Sequence, residues 1–139
     1  MYQKDYILRL IEEVTKVLAV ILGLMKKGDY HKASEYLENT YYNLLKEDAA
    51  YFRQIPEEDL TSELLEKHNY TNGHLEVLAE LFNAEAELCL AQKDISACRA
   101  YSRKSLRLFR FLDEEYKTYS REKIDKMEAI GSRIQNLDK

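Results

Sequence analysis

Three histidines, two cysteines, several acidic pairs and a stripe of arginines are the residues of this 139-residue chain with chemistry to offer. His31 falls on the polar side of an amphipathic segment, and His68 and His74 flank a loop. No cysteine pair at ligand spacing accompanies them, nor a His-x-x-x-His on one helical face, so solvated histidines and no metal site are expected. Cys89 and Cys98 lack a Cys-x-x-Cys context and fall on the two arms of one helical hairpin. Both are expected in the core, reduced, as small hydrophobes. The acidic pairs Glu12–Glu13, Glu57–Glu58 and Glu85 with Glu87 read as solvated helix faces, because a catalytic carboxyl needs burial to raise its pKa. The sequence holds no phosphate-cradling glycine loop, nucleophile elbow or nucleotide fingerprint. It therefore predicts a non-catalytic chain with no cofactor.

The sharpest polar signal is basic. Between Ile95 and Leu112 stand Arg99, Arg103, Lys104, Arg107 and Arg110, with no acid among them. At 100° per residue the four arginines span an arc of about 80°, opposite Cys98, Tyr101, Leu108, Phe109 and Leu112. Residues 1–92 carry 9 Lys/Arg against 17 Asp/Glu, and residues 93–139 carry 12 against 8. The stripe thus either pairs with the acidic half of its own domain or meets an acidic partner. The net charge of −4, with no groove-reading motif, argues against nucleic acid.

The elements that must position these residues are helical. One proline and four glycines starve a β-rich fold of turn residues, and the apolar period is three and four throughout. A first helix is predicted from about Gln3 to Lys27, closed by Gly28, with Asp29 capping a second over 29–47. That helix buries Tyr30, Ala33, Leu37, Thr40, Tyr41 and Leu44 and leaves Tyr42 on its polar face. The segment Asp48–Gly73 is an insertion holding Pro56, a short helix to Lys67 and a turn at Asn69–Gly73. A fourth helix spans His74–Gln92, a fifth runs to Leu112, and Asp113–Tyr119 is a charged connector. Ser120 caps a sixth, with Tyr119 and Ile124 at staple spacing. The expectation is one all-α domain over residues 1–139, about six helices in antiparallel hairpins. The longest apolar run, Val17–Met25, is too short to span a membrane, and two cysteines without a secretory leader predict a cytoplasmic location.

Lys27-Gly28-Asp29-Tyr30-x-x-Ala33 and Gln92-Lys93-Asp94-Ile95-x-x-Cys98 recur at an offset of 65 residues. Each resembles the turn of a tetratricopeptide repeat, with an apolar residue after the turn and a small one where the helices approach. Lys93 stands in place of the glycine, and Ile21 occupies the small site of the first copy. The two units are therefore degenerate hairpins split by the insertion, a departure from a regular superhelix. Over nearly its full length, through Met1-Tyr2-x-Lys4-Asp5-Tyr6-Ile7-Leu8-Arg9, Leu78-Ala79-Glu80-Leu81 and Tyr119-Ser120-x-x-x-Ile124, the chain is similar to a family of small bacterial proteins of unknown function with a tetratricopeptide-like fold. That resemblance implies an interaction module whose groove is lined by the first helix of each hairpin. Here those positions are Leu18, Leu22, Met25 and Lys26 with Asn83, Glu87 and Leu90. Leu18 and Leu22 stand where the carboxylate-clamping polar residues of such domains would be, so an apolar or helical ligand is implied. The alternative is a regulatory or structural protein that packs against its own copy.

From Val14 to Met25 the first helix is apolar almost all round, broken by Thr15, Lys16 and Gly23. One hairpin partner covers only one side of it, and so large a bare patch is rare on a monomer. Three coverings are open: the insertion near Leu60–Leu65 folding back, a second copy, or a helix from a partner.

Overall fold

A computed structural model describes residues 2–116 and 120–138, with side chains from Asp5 onward. Six α-helices carry it: α1 Tyr2–Lys26, α2 Tyr30–Leu45, α3 Ala49–Arg53, α4 Asn72–Ala91, α5 Ile95–Tyr116 and α6 Arg121–Leu137. Between α3 and α4 lie a 3₁₀ turn, Glu57–Asp59, and a π-helical segment, Ser62–Lys67. No strand occurs among the described residues. The fold is all-α, as its apolar period requires.

Helix α4 is the centre. Leu75, Leu78, Leu81, Phe82 and Ala86 are fully buried, as their spacing predicts, and so are Val77 and Ala79. α5 packs along it more extensively than any other pair, α1 and α2 cover further sides, and α6 lies on α5. Ser105 closes the α4–α5 contact by donating to the Ala79 carbonyl at 2.7 Å.

The two repeated turns are built alike bond for bond. Gly28 N–H donates to Met25 O and Asp29 N–H to Leu24 O, at 3.0 and 2.9 Å. Sixty-five residues on, Lys93 N–H donates to Leu90 O and Asp94 N–H to Cys89 O, at 3.0 and 2.8 Å. This double closure needs a left-handed residue after the helix. Gly28 (φ 78°) supplies it freely and Lys93 (φ 66°) under strain. Ala33 and Cys98 each lie in the hairpin contact with no exposed surface.

Several expected details are corrected. Asp29 holds the cap position of α2 without a side-chain cap bond, whereas Asp94 accepts from Ala97 N–H at 3.2 Å. Tyr30 is only partly buried. α4 starts at Asn72 instead of His74, because Thr71 caps it and draws Asn72 and Gly73 into the first turn. The acids of 113–115 do not break α5, which continues to Tyr116. Tyr119 and its staple lie outside the described residues. The insertion holds three short pieces in place of one helix: Asp48 caps α3, Pro56 forces a new start, and the chain then coils into the π segment.

The insertion is tied to the core by a buried charge. Glu85 lies at the middle of α4's apolar arc and is only 6% exposed, which corrects its reading as a solvated acid. Its carboxylate accepts from both Nε (3.0 Å) and Nη2 of Arg53 on α3 and from the Tyr41 hydroxyl at 3.2 Å. Arg53 also reaches Glu38 at 2.7 Å. Burial works against the Arg53 charge, but Glu85 outweighs it and holds the guanidinium pKa above its ordinary value. Burial, reinforced by Glu85, pushes the Tyr41 phenol well above its usual range. Around this network the rings of Tyr101, Phe82, Tyr41, Phe52 and Tyr70 contact in sequence, stacked except for the tilted Phe82–Tyr41 pair, and link α5, α4, α2, α3 and the segment before α4.

Two outcomes follow. Arg53→Met, which strands the Glu85 carboxylate, should lower unfolding free energy in urea by about 3–5 kcal/mol, and adding Glu85→Gln, which removes the charge but keeps an acceptor for Tyr41, should recover part of it. Lys93→Gly should raise stability by about 0.5–1 kcal/mol by removing left-handed strain, while Gly28→Ala should lower it. A destabilised Lys93→Gly would contradict the turn assignment.

Candidate functional site

The first helix leaves one flank open. Val14 and Ile21 are buried against the core, whereas Leu18 and Met25 are partly buried and Leu22 is 47% exposed. Leu18, Ile21, Leu22 and Met25 form one wall of a cleft of about 170 Å³. Its floor is formed by Glu80, Asn83, Ala84 and Glu87 of α4, and Lys126 of α6 stands at its far rim. The residues singled out in the sequence as Leu18, Leu22, Met25, Asn83 and Glu87 thus meet around one opening. Lys26 and Leu90 do not line it; both stand exposed beyond its end. No residue of the insertion lines the cleft. Leu60 and Leu64, the side chains expected to fold back over α1, are fully buried in the core instead.

The far rim is fixed by charge. Lys123 pairs with Glu76 at 2.9 Å and Lys126 with Glu80 at 2.6 Å. Arg133 donates to Asn83 at 2.6 Å and to Ser102 at 2.9 Å, with Glu87 3.8 Å away. Lys126 also lies over the Phe109 ring. These rungs hold α6 across α4 and α5, and its apolar stripe buries only Ile130 fully. Sequence reasoning missed the rungs because their partners lie 31 to 50 residues apart. Glu87 is left half-free at the cleft, and burial raises its carboxyl pKa although Arg133 lowers it.

The basic stripe is divided. Arg99 is bound by Asp138 at 2.7 Å and by the Leu137 carbonyl at 2.9 Å, and Arg107 by Glu57 at 2.9 Å. Arg103 and Arg110 pair with nothing among the described residues. Lys104 donates to the Arg53 carbonyl at 2.9 Å.

Other chemistry-bearing residues are structural. Cys98 is buried; Cys89 is only half-buried, and burial, with Glu85 nearby, pushes its thiol up to about 11, leaving little thiolate at neutral pH. His31 faces solvent beside Glu35 at 2.9 Å. His68 and His74, expected in solvent, are instead half-buried around Tyr70, with ring centroids at 4.4 and 4.6 Å. No group of three or more His, Cys, Asp or Glu placed to hold a metal occurs among the described residues, and none of their helices is long and apolar enough to cross a membrane. Tyr42 is the most exposed large hydrophobic side chain among the described residues, at 60%. No family model, curated protein or solved structure matches the chain.

His74 closes a reciprocal cap: its Nδ1 accepts from Thr71 N–H at 3.1 Å, and Thr71 Oγ1 accepts from His74 N–H. Burial, then the neighbouring His68, holds its imidazole below the usual range. A folded pKa below the unfolded value of about 6.5 means this stability is complete above that pH and lost as pH falls through it. The urea midpoint should therefore drop between neutral pH and pH 5. His74→Gln, which keeps an acceptor but does not titrate, should show a shallower drop. An unchanged pH slope in that variant would contradict the cap's role.

Proposed function

We propose that this chain is a non-catalytic docking module that holds an amphipathic helix of a protein partner in the cleft between α1, α4 and α6. The observation that carries the reading is the bare wall of Leu18, Leu22 and Met25 facing a polar floor, with the insertion packed elsewhere. Three apolar side chains at i, i+4 and i+7 on one helix accept a second helix's apolar edge. Glu87, half-desolvated and only loosely matched by Arg133, favours a lysine or arginine beside that edge. The likeness of its turns to tetratricopeptide hairpins supports the reading, since such hairpins present their first helices to ligands. Two free thiols support a reducing, cytoplasmic setting, and the resemblance to a small bacterial family supports a bacterial source. A second reading, self-association through α1, is favoured by further apolar exposure at Leu8, beside the wall, and at Tyr6 and Val20 on the helix's other flank.

A photo-crosslinking residue at Leu22, with one at Tyr42 on the opposite face as control, tests this in native extract. The expected product is one dominant adduct from Leu22, mapping by mass spectrometry to a helix with an apolar edge and an adjacent base. An adduct between isotopically distinct copies of this chain would instead support self-association. No adduct above the Tyr42 level would reject both. Leu22→Glu should leave thermal stability nearly unchanged, because the side chain is already half in water, and should abolish the adduct formed by a crosslinker at Leu18.

A further inference from the structure

A second groove runs between α5 and α6, on the other side of α6 from the cleft: Lys126, at the cleft rim, and Gln135, in the groove, stand half a helical turn apart. It encloses about 460 Å³ and is lined by Arg103, Arg107 and Arg110 above a floor of Leu106 and Ile134, with Glu57 at one edge. Past Gly131 it opens into a further depression floored by Ile124 and Met127. We propose that this groove binds an acidic amphipathic helix of a partner protein, its carboxylates on Arg103 and Arg110 and an apolar side chain between them.

Four observations carry this. Glu57 already shows a carboxylate seated here, on Arg107. The two arginines flanking that pair have no partner among the described residues, and a guanidinium beside an apolar floor is a preformed carboxylate fork. Arg103 and Arg110 are two turns apart, about 10.5 Å along α5, which matches acids seven residues apart on a helix laid along the groove. Gly131, inside α6, weakens that helix relative to alanine. Yet it serves no close packing, because a Cβ there would meet nothing within 4 Å. It leaves the groove floor open. Acids Asp113 and Glu128 line only the far depression, so the attraction is strongest at the Arg103–Arg107 end.

The test uses the full chain and a fluorescein-labelled helical peptide of about 15 residues, with glutamates seven apart and a leucine between them, read by anisotropy. Binding should weaken with salt and fall at least about tenfold for R103E/R110E. It should fall similarly for Gly131→Leu, which fills the groove without backbone strain. A lysine-for-glutamate peptide should bind R103E/R110E better than the native chain, a gain that misfolding would not give. Leu22→Glu should leave peptide binding unchanged. The proposal is overturned if the native chain does not bind, if a peptide with glutamine in place of both glutamates binds equally well, or if binding survives R103E/R110E or Gly131→Leu. It is overturned also if Leu22→Glu abolishes binding, or if a single-stranded oligonucleotide displaces the peptide at equal concentration, which would mark a nucleic-acid surface.

Discussion

A carboxylate inside an apolar core has to be neutralised where it sits, and Glu85 sets that demand at the centre of α4. An unpaired charge there would cost several kcal/mol. Arg53 reaches it from the insertion and Tyr41 from α2, so α2 and α3 are locked to α4 at one point. The lock decides what the insertion can do. With Arg53 on Glu85, Phe52 stacks on Tyr41 and Leu60 and Leu64 complete the core beside them. The same segment is then not free to lie over α1, and the flank of Leu18, Leu22 and Met25 stays open because of a charge buried on the other side of α4.

The opening has its shape from two further constraints. The matched turns at Gly28 and Lys93 return each helix antiparallel on its partner, which sets α1 beside α4. The ion-pair rungs from Lys123, Lys126 and Arg133 set α6 along α4's polar stripe and give the cleft its polar rim. Those same rungs turn the opposite side of α6 toward α5 and form the arginine groove. One charged ladder thus separates two grooves of different character, one apolar with an acidic floor and one apolar with basic walls.

Much of this was legible in the residues. The apolar period alone gives the helices and most of the core, and the repeated turn motif gives the hairpins and the buried Ala33 and Cys98. The cleft's apolar wall was readable because too much of α1 is apolar for one neighbour to cover. Glu85 was misread although a signal was present: it stands in the same arc as Leu78, Leu81 and Cys89, where a solvated acid has no place. Its partner was not readable, since nothing in spacing links Arg53 to a position 32 residues on. The histidines were misread for a related reason. His68 and His74 look like loop residues until Thr71, as a cap, folds Asn72 and Gly73 into α4 and brings both rings onto Tyr70. The division of the arginine stripe depends on where Glu57 and Asp138 come to rest, which only the packed chain decides.

The insertion is locked into the core, and the α1 flank is consequently bare. Methyl NMR on the isolated chain at its monomer mass, with a soluble paramagnetic agent, tests it most directly. The methyls of Leu22 should relax strongly, those of Leu18 and Met25 to an intermediate degree, and those of Leu60 and Leu64 hardly at all. Protected Leu22 methyls together with relaxed Leu60 and Leu64 methyls would contradict it, because they would place the insertion over α1 and leave Glu85 without its lock.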